Sequence, residues 1–226
     1  MNFCDDTIQV LKNFALINPS IEFVPGSKLK TVSPQKSILA EASIQETIPR
    51  GGAVYELNRF LGTLSLFEKS ADIKFSDKYM TIADGKKSVN YTFADASMII
   101  SAPDKEISMP DHDVAVNLMW NDLNSVLKAS AVLNLPEVAV TGYNGNIKLQ
   151  AIDSKNPTAD KFEVELGRTD KEFRFIFKTE NLKLLSLNYE VVITSKGIGK
   201  FSSLNTQGPR LIYYICLLYT SDAADE

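Results

Sequence analysis

Two segments of this sequence bring together residue types that could do chemistry. His112 lies between Asp111 and Asp113, a grouping that could ligate a metal ion or act as a base. One histidine without a nearby cysteine rarely makes such a site, so a solvated loop is the better interpretation. Residues 196–200 (KGIGK) lack the spacing of a phosphate-binding loop and join two predicted strands, which is typical of a hairpin turn.

Other catalytic patterns are missing from the sequence. It contains no nucleophile elbow, zinc-protease motif or EF-hand loop. Its two cysteines, Cys4 and Cys216, lie near opposite ends, which argues against a disulfide framework or a clustered zinc site. We therefore predict that the protein is not an enzyme and that it binds neither a metal ion nor a cofactor.

A different kind of chemistry is possible on the polar sides of four predicted helices, where basic and amide side chains remain outside the apolar stripes. Such side chains can contact the phosphates of a nucleic acid without reading its bases. An ordinary solvated helix face carries similar residues, and the pattern alone favours that interpretation. The basic candidates are Lys12, Arg59, Lys69, Lys128 and Lys183.

Composition limits how a nucleic-acid surface could be arranged. The chain has 226 residues, a formal net charge of −4 and 44% hydrophobic residues, which suits two domains of about a hundred residues each. The negative charge argues against a uniformly basic coat for nucleic acid, so any basic residues that contact it must share one face. No apolar run is long enough to span a membrane, and the acidic N-terminus is unlike a leader peptide, so we predict a cytosolic protein.

The elements that carry these residues repeat along the chain. Apolar residues at helical spacing predict helices over 6–17 and 55–67, each followed by about three β-rich stretches. The same order recurs in the second half, with helices predicted over 121–133 and from Thr179 through TENLKLLS. Helices segregated from antiparallel strands predict an α+β fold with the helices on one face of the sheets.

Finer features of the first helix and of the domain limits also follow. Asp5 or Asp6 is predicted to cap the first helix, and Asn13 is predicted to face outward with Lys12. Residues 96–110 contain two prolines and no helical period, which indicates a connector. We predict a first domain over 1–95, this connector, and a second domain over 111–215.

Four segments of the chain carry a resemblance to a known family: LKNFALIN (11–18), YELNRFLGTLSL (55–66), TIADGKKS (81–88) and NYEVVITSKGIGKF (188–201). They resemble the sliding clamp of T4-like bacteriophages. The first two are the specific ones, and the resemblance is collinear from about Asp5 to Ile215. This resemblance implies a homotrimer in which every subunit contributes two similar clamp domains, each of two helix-plus-three-strand units, to a closed ring with sheets outside and helices lining a central hole.

The resemblance also implies a function and partners. Duplex DNA would pass through the hole without sequence preference, and the five basic candidates would line it while the acidic surplus stays outside. The partners would be the replicative DNA polymerase, held for processive synthesis, and a clamp loader. The protein would act in the cytoplasm of the infected bacterial host, in DNA replication and in late transcription.

In this family, partners dock short hydrophobic peptides into a pocket near the connector. The resemblance therefore implies a pocket here, but an ordinary interdomain core explains the same apolar residues equally well. The pocket candidates are Ile107, Met109, Pro110, Tyr213 and Ile215.

The end of the chain departs from the family. Residues 216–226 (CLLYTSDAADE) resemble translated sequencing-adapter sequence, and we predict that they are not native. A second hypothesis for the whole chain is a β-rich phage structural or adaptor protein that assembles into rings. The two hypotheses differ in charge placement, because only the clamp requires basic residues on the helical face and acidic residues on the sheet face.

Overall fold

The computed structural model describes residues 1–105, 107–109, 111–205 and 208–218. Pro110 and the last eight residues of the predicted non-native tail, 219–226, lie outside the described residues. Contacts divide the chain into two compact units. The first is Met1–Glu106 with Asn205–Ile212, and the second is Ile107–Leu204 with Tyr213–Glu226.

Three α-helices lie among the described residues, and each buries one apolar face. They are α1 (Asp5–Ile17), α2 (Leu57–Leu64) and α3 (Trp120–Leu133). In the first unit α1 packs against α2 and the following strands, and in the second unit α3 packs on strands of one antiparallel sheet. Burial of apolar residues spaced three and four apart explains both helices.

The strands are short and follow the helices as predicted. Among the described residues they are β1 (Ile21–Phe23), β2 (Gly26–Val32), β3 (Ile38–Ile48), β4 (Gly52–Val54), β5 (Asp72–Phe75), β6 (Tyr79–Asp84), β7 (Lys87–Thr92), β8 (Val114–Leu118), β9 (Glu137–Tyr143), β10 (Asn146–Ile152), β11 (Phe162–Arg168), β12 (Phe173–Lys178), β13 (Tyr189–Thr194), β14 (Ile198–Ser203) and β15 (Arg210–Cys216).

The sheets are antiparallel in both units. The first unit contains the sheet β5-β6-β7, the pair β1-β4 and the hairpin β2-β3. The second unit contains the sheet β11-β10-β9-β12, on which α3 packs, and the run β8-β13-β14. Strand β15 includes Cys216, the first residue of the predicted non-native tail.

Aromatic side chains fill the core of the first unit. Phe23 is fully buried, and its ring centre lies 6.1 Å from Phe3, 5.9 Å from Phe60 and 5.8 Å from Phe75. Offset and edge-to-face pairs at these distances add to the stabilisation from burial alone. Since Phe60 lies on α2, this cluster fixes the second helix of the first unit.

The start of α1 differs from the prediction. Its N-cap residue is Cys4, not Asp5 or Asp6, and Cys4 makes no side-chain capping hydrogen bond. A carboxylate from another element holds the start of the helix instead. Glu46 of β3 accepts hydrogen bonds from the Cys4 backbone N–H (2.5 Å) and the Thr7 hydroxyl (2.6 Å). The two aspartates lie in the first turn, where negative charge favours the helix dipole.

Two further details of the predicted helices are corrected. Asn13 is only 5% exposed, so it does not belong to the outer face of α1. Helix α2 ends at Leu64 and not at Phe67. The backbone N–H groups of Leu66 and Phe67 donate to carbonyls three residues back, as in a 3-10 turn. The Ser65 hydroxyl donates to the Gly62 carbonyl.

The predicted fourth helix is a single 3-10 turn, Thr179–Asn181, so Lys183 does not lie on a helix. Leu182 and Leu184 are buried with half-buried residues between and after them, a pattern of period two that is typical of extended chain. The backbone of Leu185 is bonded by two side chains, because its N–H donates to the Tyr213 hydroxyl (3.2 Å) and its carbonyl accepts from the Tyr189 hydroxyl (2.6 Å).

A glycine on β9 permits a close approach within the second unit. The ring of Phe173 on β12 lies directly over Gly142, its cross-strand partner. A Cβ atom at Gly142 would lie 2.7 Å from the backbone oxygen of Lys171 and closer still to the Phe173 ring. The sheet therefore requires glycine at this position.

Candidate nucleic-acid interface

The exposed face of α1 is one narrow stripe. Asp5, Gln9, Lys12 and Leu16 recur every three or four residues, the spacing that places side chains on the same side of a helix, and all four are exposed. The acid lies in the first turn and the lysine lies near the middle. The stripe therefore offers one positive charge flanked by an amide and, at its C-terminal end, by an aliphatic side chain.

Helix α3 repeats this stripe in the second unit. Its exposed members at the same spacing are Asn121, Ser125, Lys128 and Val132. The acid of the first turn is again present, as half-buried Asp122. Each unit thus presents one lysine from the middle of its first helix.

An internal similarity marks these equivalent positions in the sequence. Residues 11–18 (LKNFALIN) and 127–134 (LKASAVLN) share leucine, lysine, alanine and asparagine in the same order and spacing. Each segment ends at the helix C-cap residue, Asn18 or Asn134. Aligning the two helix ends therefore pairs Lys12 with Lys128 and Leu16 with Val132, pairings that the order of elements alone did not give.

Arg59 and Lys69 are exposed basic residues with acidic neighbours. The Arg59 guanidinium on α2 lies 3.5 Å from a Glu56 carboxylate oxygen. Lys69 lies beyond the end of α2, and its ammonium is 2.7 Å from a carboxylate oxygen of Asp5 at the start of α1. Exposed pairs of this kind contribute little stability, so a phosphate could replace the carboxylate as partner.

Lys183, the last of the five basic candidates, is placed differently. It follows the 3-10 turn, is half-buried, and lies between buried Leu182 and Leu184. The segment is held at Leu185 by Tyr189 and Tyr213. Lys183 thus belongs to a well-packed extended segment and lacks the helical setting of Lys12 and Lys128.

Charge on the helices is ordered along their length and not simply positive. The three α-helices contain the basic residues Lys12, Arg59 and Lys128 and the acidic residues Asp5, Asp6 and Asp122, so their net charge is zero, against −4 for the chain. The acids all lie in first turns, and the basic residues of α1 and α3 lie beyond them. The predicted segregation of charge onto the helical face is therefore partial.

The predicted peptide-pocket residues fall into two groups. Ile107 and Met109 are half-buried. Tyr213 and Ile215 have no exposed surface, so they belong to the core of the second unit and offer no contact area to a peptide. Burial raises the pKa of Tyr213 to about 12, which keeps its hydroxyl protonated and able to bond at neutral pH.

A groove of about 750 Å³ borders the predicted connector within the first unit. It lies between residues 22–30 and residues 101–104 of the connector, and its apolar lining includes Val24, which is 48% exposed. Two hydrogen bonds hold this part of the connector. Buried Asn18 donates to the Ile100 carbonyl (3.0 Å), and the Lys30 ammonium donates to the Asp104 carbonyl (3.2 Å).

The remaining predictions on metals and membranes have limited counterparts in the structure. His112 is exposed. Within residues 1–105, 107–109, 111–205 and 208–218, no group of three or more His, Cys, Asp or Glu side chains is placed to hold a metal ion. In the same part of the chain, no helix is both long and apolar enough to cross a membrane.

Comparison with known proteins covers both units. A family model described as DNA polymerase processivity factor matches residues 5–101, and one described as gp45 sliding clamp, C terminal, matches residues 115–217. The sliding clamp of Vibrio phage KVP40 is 34% identical over 92% of this chain and 96% of its own length. The sliding clamp of Enterobacteria phage T4 is 32% identical over 96% of both chains.

A solved structure confirms the predicted clamp fold. The A. fulgidus PCNA, solved with the C-terminal region of FEN-1 bound, superposes with a TM-score of 0.70 at 11% identity, over 95% of this chain and 96% of that chain. At this identity the likeness concerns the fold alone. Together with the matches over nearly the whole sequence, it leads to one conclusion: the chain belongs to the sliding clamp family of DNA polymerase processivity factors.

Proposed function

We propose that this chain forms a ring around duplex DNA and tethers a replicative DNA polymerase to its template. The observation that carries the proposal is the repeated exposed lysine, Lys12 on α1 and Lys128 on α3, in a chain of the sliding clamp family. Retention on DNA would come from ring closure, so the protein surface needs no tight grip. A lysine is a point charge on a flexible stem that contacts phosphates of any sequence, which suits a sliding contact.

The ring would be a homotrimer closed by pairing of sheet edges between subunits. The order of strands leaves β5 and β7 at the edges of the three-stranded sheet in the first unit, and β11 and β12 at the edges of the four-stranded sheet in the second. An edge strand presents unpaired backbone groups that another chain can pair with. A head-to-tail contact between two different edges generates a closed ring when the rotation closes.

The proposed partners are a clamp loader, which opens the ring, and a polymerase, which docks a short hydrophobic peptide. A clamp of the same fold has been solved with the C-terminal region of another protein bound, which supports this mode of docking. Ile107 and Met109 remain candidates for the docking surface, since both keep some exposed area. The proposed site of action is the cytoplasm of the infected host, in replication and in late transcription.

The test is a processivity assay. The purified chain is mixed with the phage clamp loader, ATP, polymerase and primed circular DNA, and the length of DNA made in one binding event is measured. We expect a several-fold increase in run length that requires both loader and ATP. A run length equal to that of polymerase alone would overturn the proposal.

Two variants with the same change in charge locate the DNA contact. Lys12→Glu with Lys128→Glu should remove most of the gain in run length, because like charges then face the phosphates. Lys86→Glu with Lys196→Glu is the control, since both lysines are exposed in turns that join two strands. Light scattering should give a trimer mass for every protein. Loss of the trimer only in the helix variant would assign Lys12 and Lys128 to the subunit interface instead.

A further inference from the structure

The aliphatic residue that follows each helix lysine by four positions is exposed. Leu16 is 63% exposed and Val132 is 78% exposed. Single exposed aliphatic residues are common on protein surfaces and need no explanation by themselves. Here the exposure recurs at equivalent positions of α1 and α3, each time beside a lysine on the same stripe.

Burial does not account for an aliphatic residue at these positions, and helix propensity does not account for the valine. Val132 contributes little apolar surface to a core at 78% exposure. Valine is also one of the poorer helix formers, because its branched side chain loses freedom in a helix. A lysine, glutamine or glutamate would be a better helix former than Val132, and it would be as good a helix former as Leu16 while being more soluble. The aliphatic residues therefore point to a role at the surface.

Leu16 and Val132 each lie about one helical turn beyond the lysine, on the same exposed stripe. Side chains four residues apart on a helix have Cβ atoms about 5–6 Å apart. A cation at Leu16 or Val132 would therefore place a second positive charge next to Lys12 or Lys128, available for a further ionic contact with phosphate. An aliphatic side chain at that place makes neither an ionic contact nor a hydrogen bond to phosphate.

We propose that Leu16 and Val132 limit the exposed stripe of each helix to a single ionic contact with phosphate and so set how fast the ring slides. Fewer simultaneous ionic contacts give a lower barrier for each step along the duplex. The proposal rests on the proposed function, since it concerns the same helix faces. It assigns to these two residues control of mobility on DNA, while the neighbouring lysines supply the attraction.

The test adds the missing charges. Fluorescently labelled rings are loaded onto long duplex DNA by the clamp loader and ATP, and their diffusion is tracked at several salt concentrations. The Leu16→Lys, Val132→Lys variant should diffuse roughly threefold or more slowly at low salt and approach the wild-type rate at high salt. Each added phosphate contact steepens the logarithmic salt dependence of DNA binding by about 0.9.

Two controls separate charge from position and from loss of apolar surface. Val24→Lys with Tyr143→Lys adds the same charge at exposed positions outside the helices and should diffuse like wild type. Leu16→Ala with Val132→Ala removes the large side chains without adding charge and should also diffuse like wild type. Unchanged thermal unfolding is expected for all variants, because the substituted side chains are exposed.

The outcomes distinguish this inference from the proposed function. If wild-type rings are retained on DNA and the Leu16→Lys, Val132→Lys rings diffuse equally fast at low salt, the inference is wrong and the clamp function stands. Equal slowing by the Val24→Lys, Tyr143→Lys control would also overturn it. If wild-type rings are not retained on circular DNA after loading, the proposed function itself fails.

Discussion

The second helical position of each half shows how similar sequence patterns reach different structures. In the first unit it is α2, with Leu57 and Phe60 fully buried. In the second unit it is the 3-10 turn Thr179–Asn181 followed by extended chain. In the first unit, a cluster of aromatic side chains packs against one face of the helix. The second has two tyrosine hydroxyls that satisfy the backbone at Leu185. Tertiary partners therefore decide the local structure at both places.

Replacing Phe60 should have the largest effect on stability, because Phe60 anchors α2 in the first unit. Its ring packs edge-to-face on Phe23 and on Tyr91, at 5.9 Å and 5.3 Å between ring centres. Phe60→Ala should lower the free energy of unfolding by about 3–5 kcal/mol, since it leaves a cavity in a buried aromatic cluster. Denaturant unfolding measures the loss. Leu66→Ala is the control, because Leu66 is 67% exposed, and a similar loss there would contradict this account of α2.

Tyr213 tests the second half of the comparison. Tyr213→Phe keeps the buried ring but leaves the Leu185 N–H without its acceptor, so the free energy of unfolding should fall by about 1–2 kcal/mol. Amide exchange at Leu185 should become faster. Tyr143→Phe is the matched control at a 62% exposed tyrosine and should change neither quantity. Unchanged exchange at Leu185 in Tyr213→Phe would mean that the hydroxyl does not hold this segment.

The smallest effect concerns the cap of α1. Burial pushes the pKa of Glu46 upward, but hydrogen bonds from Thr7 and Cys4 outweigh it and hold the pKa below its usual range. Because the folded-state pKa is the lower one, the stabilisation is present above the usual glutamate pKa and is lost as the pH falls through the folded-state value. Glu46→Gln should cost about 1 kcal/mol at neutral pH.

The pH dependence identifies Glu46 as the cause. The difference in melting temperature between wild type and Glu46→Gln should shrink as the pH falls below the usual glutamate range. Thr7→Val, which removes one of the two hydrogen bonds, should reduce the pH dependence only in part. A constant difference between wild type and Glu46→Gln at all pH values would show that the charge of Glu46 is irrelevant to the cap.

These comparisons also show which parts of the fold could be predicted from the sequence. The β-rich stretches that follow the predicted helices are strands in the structure, because alternation and turn residues are local signals. The Asn144-Gly145 turn has positive φ at both residues, as a tight two-residue hairpin requires and as this residue pair favours. The prediction of a fourth helix was wrong because the Leu185 backbone bonds to two tyrosine hydroxyls. Tyr213 lies 28 residues further along the chain, so local periodicity cannot reveal this contact.

The candidate site was partly accessible to sequence reasoning. Helical period placed Lys12 and Lys128 on the exposed stripes, although contact with DNA stays a prediction. Tyr213 and Ile215 were misplaced because β15 is buried on both faces, as Tyr214 at 8% exposure shows, and composition cannot reveal two-sided burial. Since sliding clamps are scaffolds, membership in the family confirms that the chain is not an enzyme.

Gly142 has a consequence for mutational tolerance. Even a methyl group there would meet the Lys171 carbonyl and the Phe173 ring, so β9 and β12 would have to separate where their register is set. A saturation library should therefore accept many residue types at exposed Gln9 or Ser125 and almost none at Gly142. Close packing between two neighbouring strands, and not chemistry at the surface, would then be what restricts this position.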